Sequence, residues 1–282
     1  MTAYSEIAAV NFSTLKHMES GPLHYRAGIA RKFKTSEPMK LGSAGHCLVF
    51  EPDQFNARYC INDWNRNSTK FKELVMMEAE AGRELIKTKT ETAASHITEN
   101  VLGHHEASVL IAESLHEQTL TWDMHGFACK GRLDGLILKP SPVLVKLLKM
   151  KKSRPIILDL KTTADPQPRK FSRQVYDMKY YSQMAFYAAG MVAVHGCEYP
   201  ETYLIAVGNK EPYECIVYNL PLPVMDAGEG MYIKWLDDLR ACKVADVYRS
   251  KFEGIQKLEL PAYAVGSEAE TSLIIDGQEV VL

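Results

Sequence analysis

At 282 residues, 46% of them hydrophobic, the chain is long and apolar enough to bury a core without disulfides or a structural metal. Its formal net charge of −2 excludes a protein coated in basic residues, so any grip on a polyanion must be confined to a groove or channel. The six cysteines form no CxxC pair, which argues against structural zinc or an iron–sulfur cluster, and no apolar run has the length of a leader or a membrane span; the expected location is cytoplasmic, with no membrane partner.

In chain order, residues 13–19 and 22–31 read as short helices broken at Ser20-Gly21-Pro22, and 39–50 as a helix that carries His46 and ends at Glu51-Pro52. Residues 62–85 and 91–117 place apolar side chains such as Ile97, Val101 and Leu110 at helical steps, giving a helical framing region to about residue 118. Residues 120–137 read as strands and a hairpin, with 129–133 as one strand and Gly135 allowing a sharp turn after Asp134. Residues 143–152 extend that hairpin as a basic arm whose Lys146, Lys149, Lys151, Lys152 and Arg154 face either DNA phosphates or solvent.

The aliphatic run from Ile156 to Leu160, entered through Pro155, reads as a short buried strand. Residues 165–173 follow as a loop, 175–194 as one helix, 203–207 and 214–220 as further strands, 226–249 as an amphipathic helix and 251–282 as an extended tail. The prediction is a single α/β domain: a mixed central sheet flanked by helices, with a helical layer over 1–118, a core over 119–250 and the tail.

Strand alternation puts Asp159 and Lys161 on one face, with Leu158 and Leu160 on the other. Alone, Asp-x-Lys is an ordinary surface ion pair; inside an aliphatic run it sits near a core, where unpaired charge is costly. A carboxylate and an ammonium displayed together suit phosphodiester hydrolysis, which needs a hard, oxygen-ligated cation and a positive charge near the developing pentavalent centre. Asp134 is the natural second carboxylate. Gln183 and Tyr187, four apart, share a helix face.

These residues resemble the PD-(D/E)XK nuclease superfamily. Leu41-Gly42-Ser43-Ala44-Gly45-His46 resembles its histidine-bearing first motif, Gly131-Arg132-Leu133-Asp134 the second, Leu158-Asp159-Leu160-Lys161-Thr162-Thr163 the third and Gln183-x-x-x-Tyr187 the fourth. Within it, the opening around residues 11–25 and Tyr176-Asp177-x-x-Tyr180 resemble the RecB-like branch, nearest the RecE nuclease domain (exonuclease VIII) and related phage exonucleases. The resemblance implies a restriction-endonuclease-like core and Mg2+, with Mn2+ able to substitute, held by Asp134, Asp159, the Leu160 carbonyl and His46. It implies catalysis by Lys161, with Gln183 and Tyr187 orienting it.

Thr162, Thr163, Lys170, Arg173 and Tyr180 are the expected DNA contacts, and Glu51 either supports the site or simply ends its helix. The implied activity is a 5′-to-3′ exonuclease on double-stranded DNA ends, leaving a 3′ single strand for a RecT-like or Bet-like annealing protein. The implied assembly is a homo-oligomer, a ring-shaped tetramer or trimer. The alternatives are a repair or restriction endonuclease on the same fold and a catalytically silent DNA-binding recombination scaffold.

Overall fold

The computed structural model describes residues 4–31, 35–65, 67–260, 272–275 and 278–281. It divides into two compact units, residues 1–249 and 250–282. In chain order the first unit contains β1 (Val10–Asn11), α1 (Phe12–Leu15), α2 (Pro22–Ala30), α3 (Glu37–Phe50), α4 (Phe55–Arg58), β2 (Tyr59–Ile61), α5 (Thr69–Glu80), β3 (Glu84–Ile86), α6 (Thr88–Gly103), α7 (His105–Glu113), β4 (Leu115–Met124), β5 (Phe127–Ile137), α8 (Pro142–Leu147), β6 (Ile156–Thr163), α9 (Pro168–Met178), α10 (Tyr180–His195), β7 (Glu201–Gly208), β8 (Cys215–Asn219) and α11 (Leu222–Ala245). In the second unit β9 (Ser272–Ile275) and β10 (Gln278–Val281) pair antiparallel. The middle of the expected extended tail, residues 261–271, lies outside the described residues.

The main sheet is mixed, as expected. Its order is β1-β5-β6-β7-β8, with β4 paired to β5. The β6–β7 pair is parallel, joined by the α9–α10 crossover, whereas β5–β6 and β7–β8 are antiparallel. Alternation along β6 sorts its side chains between two cores. Ile156, Leu158 and Leu160 enter a cluster with Ile97 and Val101 of α6 and Leu110 of α7, while Ile157 joins Trp122, Phe186, Tyr232 and Trp235 on the side of α10 and α11. Burial on both faces explains why β6 reads as a nearly continuous aliphatic run.

Several expected boundaries move. The 62–85 segment is helical only in α5, because the chain turns at Gly82 into β3, which pairs with β2. The 91–117 segment breaks at His104, whose ring accepts the Ala107 N–H as the cap of α7, and becomes strand from Leu115. The basic arm after the hairpin opens instead with the helix α8, capped by Ser141, and continues without regular structure through Lys149 to Lys152, which pairs with Glu198. The expected loop over 165–173 winds into α9 at Pro168, a residue that suits a first helical turn. The single helix over 175–194 is two, parted at Lys179, which takes a left-handed backbone (φ 60°) and is held by Glu19 at 2.9 Å. Among the described residues no helix is long and apolar enough to cross a membrane.

Candidate metal centre and active site

Strand β5 changes partners along one edge, and the site lies where it does so. Its first half pairs with β1 at Cys129 and Lys130; its last three residues pair with β6, Gly135 opposite Leu158. Between them β5 and β6 diverge, and the Leu160 N–H, which would otherwise seek the β5 backbone, donates to Asp134 Oδ2 at 2.8 Å. In an extended strand the carbonyl of a residue points to the same edge as its N–H. That directs the Leu160 carbonyl toward the same opening. Gly135 is not the turn expected after Asp134: β5 runs on to Ile137, and the glycine is needed because a Cβ there would lie 2.7 Å from Leu158.

Three side chains from three elements converge at this fork. His46 Nε2, on α3, is 3.0 Å from Asp134 Oδ2 and 3.4 Å from Glu117 Oε1, and one ligand atom from each of the three lies within 4.8 Å of the others. α3 approaches closely because residue 42 is glycine; a Cβ there would sit 2.9 Å from Thr162 Oγ1. Glu117 faces Asp134 across the β4–β5 pair, between the registered pairs His116–Gly135 and Gln118–Leu133. It adopts a left-handed backbone (φ 53°), a conformation that costs a non-glycine residue about 1–3 kcal/mol and concentrates at functional sites.

Sequence reasoning missed Glu117, placing it at the end of a helix. One signal would have found it: His125-Gly126, both at positive φ, form a two-residue hairpin turn, and counting outward from that turn brings 117 opposite 134.

The electrostatics are those of a site built for a cation. Burial opposes charge on His46, but Asp134, then Glu117 and Asp159, hold its proton and push the pKa up to about 9. Burial pushes Glu117 up, against the pull of His46 and Arg132. Burial also raises Asp159, to about 6, despite the neighbouring Lys161, whereas Asp134 is held below its ordinary value, burial being outweighed by His46 and the Leu160 N–H. Glu117 Oε1 and Asp159 Oδ2 are buried oxygens that face cationic partners, His46 Nε2 at 3.4 Å and Lys161 Nζ at 2.6 Å. One imidazole with several carboxylate oxygens is a donor set that fits magnesium or manganese. His46, Glu117 and Asp134 are the clustered candidate ligands, with Asp159 and Leu160 lining the same cavity.

Lys161 is placed by a chain of contacts. Its Nζ lies 2.6 Å from Asp159 Oδ2, donates to Gln183 Oε1 at 3.2 Å and sits 4.6 Å over the Tyr180 ring. Gln183 in turn donates to the Tyr187 hydroxyl at 3.0 Å. Burial works against the ammonium, yet Asp159 and Asp134 raise its pKa, so Lys161 stays protonated and serves as a charge. Burial likewise raises Tyr187, leaving it a neutral phenol. Asp134, Asp159, Lys161, Gln183, Tyr187 and His46 thus line one cavity of about 640 Å3, together with Leu160, Thr162 and Tyr180.

Three of the expected DNA contacts fall elsewhere. Thr163 is 2% exposed and donates to Gln174 Oε1, so it braces α9 from within the fold. Lys170 donates to Asp165 at 2.6 Å, and with Arg173 and Arg169 it lines a separate cavity, because α9 carries them outward from the catalytic strand. Glu51 caps the end of α3 and grips Arg58 with both oxygens, at 2.7 and 2.6 Å.

Mixed sheet, forked strand and acid–lysine cluster define a PD-(D/E)XK-type nuclease fold. The family model described as a PDDEXK-like domain of unknown function (DUF3799) matches residues 11–257, and the chain belongs to that family. A crystal structure from Eubacterium rectale, named "Putative exonuclease", shares the fold with a TM-score of 0.60 at 11% identity, over 92% of this chain and 93% of that one. Comparison with curated proteins gave no match.

Proposed function

We propose that this protein is a divalent-metal-dependent deoxyribonuclease that degrades DNA from double-stranded ends. The observation that carries the reading is the convergence of Asp134, Asp159 and Lys161, from two diverging strands, on one cavity with His46 and Glu117. His46, Glu117, Asp134 and Asp159 would hold magnesium, or manganese in its place, with the Leu160 carbonyl as a further donor. Bound there, the ion supplies Lewis-acid charge at the phosphate and acidifies the attacking water. Lys161, kept protonated and aimed by Gln183, sets a second positive charge beside the phosphoryl oxygens, and Tyr187 fixes the Gln183 amide.

In its fuller form the proposal rests on the motif resemblance and is in keeping with the exonuclease name of the Eubacterium rectale protein. It is a 5′-to-3′ exonuclease that leaves 3′ single strands for a RecT-like or Bet-like annealing protein and works as a ring-shaped tetramer or trimer in the cytoplasm. The test compares linear with closed circular duplex in magnesium. Wild-type protein should release nucleotides from the linear form only, and Asp159→Ala should release none while keeping the wild-type fold by circular dichroism. An Asp159→Ala protein that digests linear DNA at the wild-type rate overturns the proposal; cutting of circles points to an endonuclease on the same site.

A further inference from the structure

The cavity that holds the acid cluster is also lined by two arginines: Arg58, outside every motif, and Arg132, which stands in the second motif without a role. Each is backed by one glutamate. Arg58 is gripped by Glu51 through Nη1 and Nη2, and Arg132 Nε lies 2.9 Å from Glu117 Oε2. In both pairs the acid is the more buried partner: the side chains are 41% and 51% exposed for Arg58 and Arg132, but 23% and 11% for Glu51 and Glu117. Glu51 therefore lies behind Arg58, while Glu117, which also lines the cavity, braces Arg132, and both guanidiniums stand on the cavity wall.

A guanidinium carries five N–H donors in a rigid fork. Glu51 engages two nitrogens of Arg58 and Glu117 engages one of Arg132, so donors remain on both for a ligand. An ion pair serving only to neutralise a buried glutamate needs no such surplus.

We propose that Arg58 and Arg132 form a clamp for backbone phosphates adjacent to the scissile one. The proposal rests on the nuclease reading and names how that site takes hold of its substrate. Planar forks match phosphate oxygens in pairs, and the cavity, about 640 Å3, is of the size that accommodates a small organic ligand, beyond one phosphate and an ion. Arg132 is further fixed by the Tyr4 ring, 5.5 Å from its guanidinium carbon. Because Glu117 offers Oε2 to Arg132 and Oε1 to the acid cluster, a single carboxylate joins the clamp to the ligand set.

The experiment measures binding of a blunt-ended, fluorescein-labelled DNA duplex by anisotropy across a salt series, in magnesium and in an Asp159→Asn background that preserves the DNA. Losing one duplex phosphate contact lowers the slope of log affinity against log salt by about 0.9. Arg58→Ala and Arg132→Ala should each lower it by about that amount and the double variant by about twice as much, while Arg58→Lys keeps the slope. Arg58→Ala leaves the Glu51 carboxylate unpaired, so the paired variant Glu51→Gln/Arg58→Gln, which preserves local net charge, guards against misfolding. It should show the same loss of slope.

Slopes unchanged in Arg58→Ala and in the paired variant, with wild-type protein still degrading DNA, overturn the clamp and leave the nuclease reading intact. Absence of both binding and degradation in the wild type overturns the nuclease reading itself.

Discussion

Gly131→Ala is a substitution for which backbone preference and packing pull in opposite directions. Alanine in place of glycine inside a strand gains about 0.5–1 kcal/mol from reduced chain entropy. Here the new Cβ would lie 2.8 Å from two carbons of the Tyr187 ring and 3.4 Å from Trp122. Carbon contacts are optimal at about 3.5–4.0 Å, so the ring must retreat by roughly 1 Å. Tyr187 is 9% exposed and packs against Phe186, which leaves it little room, and overpacking of this kind costs about 1–3 kcal/mol.

The net expectation is a destabilisation of roughly 1.5 kcal/mol, which for a unit of this size lowers Tm by about 3–6 °C in scanning calorimetry of the full chain. Displacing the ring also loosens the Tyr187 hydroxyl from Gln183 and hence the placement of Lys161, so turnover should fall as well. In a Tyr187→Leu background the same alanine should be neutral or stabilising. A Gly131→Ala protein that melts at or above the wild-type temperature would refute the packing argument.

Glu117→Gln removes a clustered ligand and should weaken manganese binding by about tenfold or more in titration calorimetry; unchanged affinity would exclude Glu117 from the set. Lys161→Ala should retain metal affinity in the same assay while losing nuclease activity, and a parallel loss of both would contradict its role as a charge on the phosphate. Without metal, Asp159 raised to about 6 and His46 raised to about 9 both favour the protonated state in the fold, so their contribution to stability is present at low pH. Tm in EDTA should therefore fall as pH rises from about 4 to 6, where Asp159 ionises, and again from about 6.5 to 9, where His46 loses its proton. Saturating magnesium at a hundred times its Kd should add about 2.7 kcal/mol and act most strongly at the alkaline end; a metal-independent melt would exclude the site as a folded-state cation site.

Much of the site was legible because its carriers sit in strong local patterns. Asp159 and Lys161 interrupt an aliphatic strand, where a charge is conspicuous, and Gln183 and Tyr187 keep a four-residue helical step that survives the break at Lys179 because both lie beyond it. Glu117 was illegible for the opposite reason: Glu113 to Gln118 is polar and helix-compatible, and the carboxylate acquires meaning only when a hairpin register sets it against Asp134. Arg58 was hidden as a single charge among many and Arg132 stood in the second motif without a role, since what marks both is a glutamate partner, and the Glu51–Arg58 pair spans a bend through a short 3-10 turn that no periodicity predicts. Lys170 and Arg173 line a cavity apart from the acid cluster, since nearness in sequence to β6 is not nearness in space once the intervening chain winds into a helix.

Asp134 is a wedge as well as a proposed ligand. By accepting the Leu160 amide it answers a backbone donor that would otherwise look to the facing strand for a carbonyl, and so it keeps β5 and β6 from zipping together past Gly135. The two aspartates at this centre are therefore not equivalent. Losing Asp159 unpairs Lys161 within the cleft, whereas losing Asp134 withdraws the prop that keeps the cleft ajar.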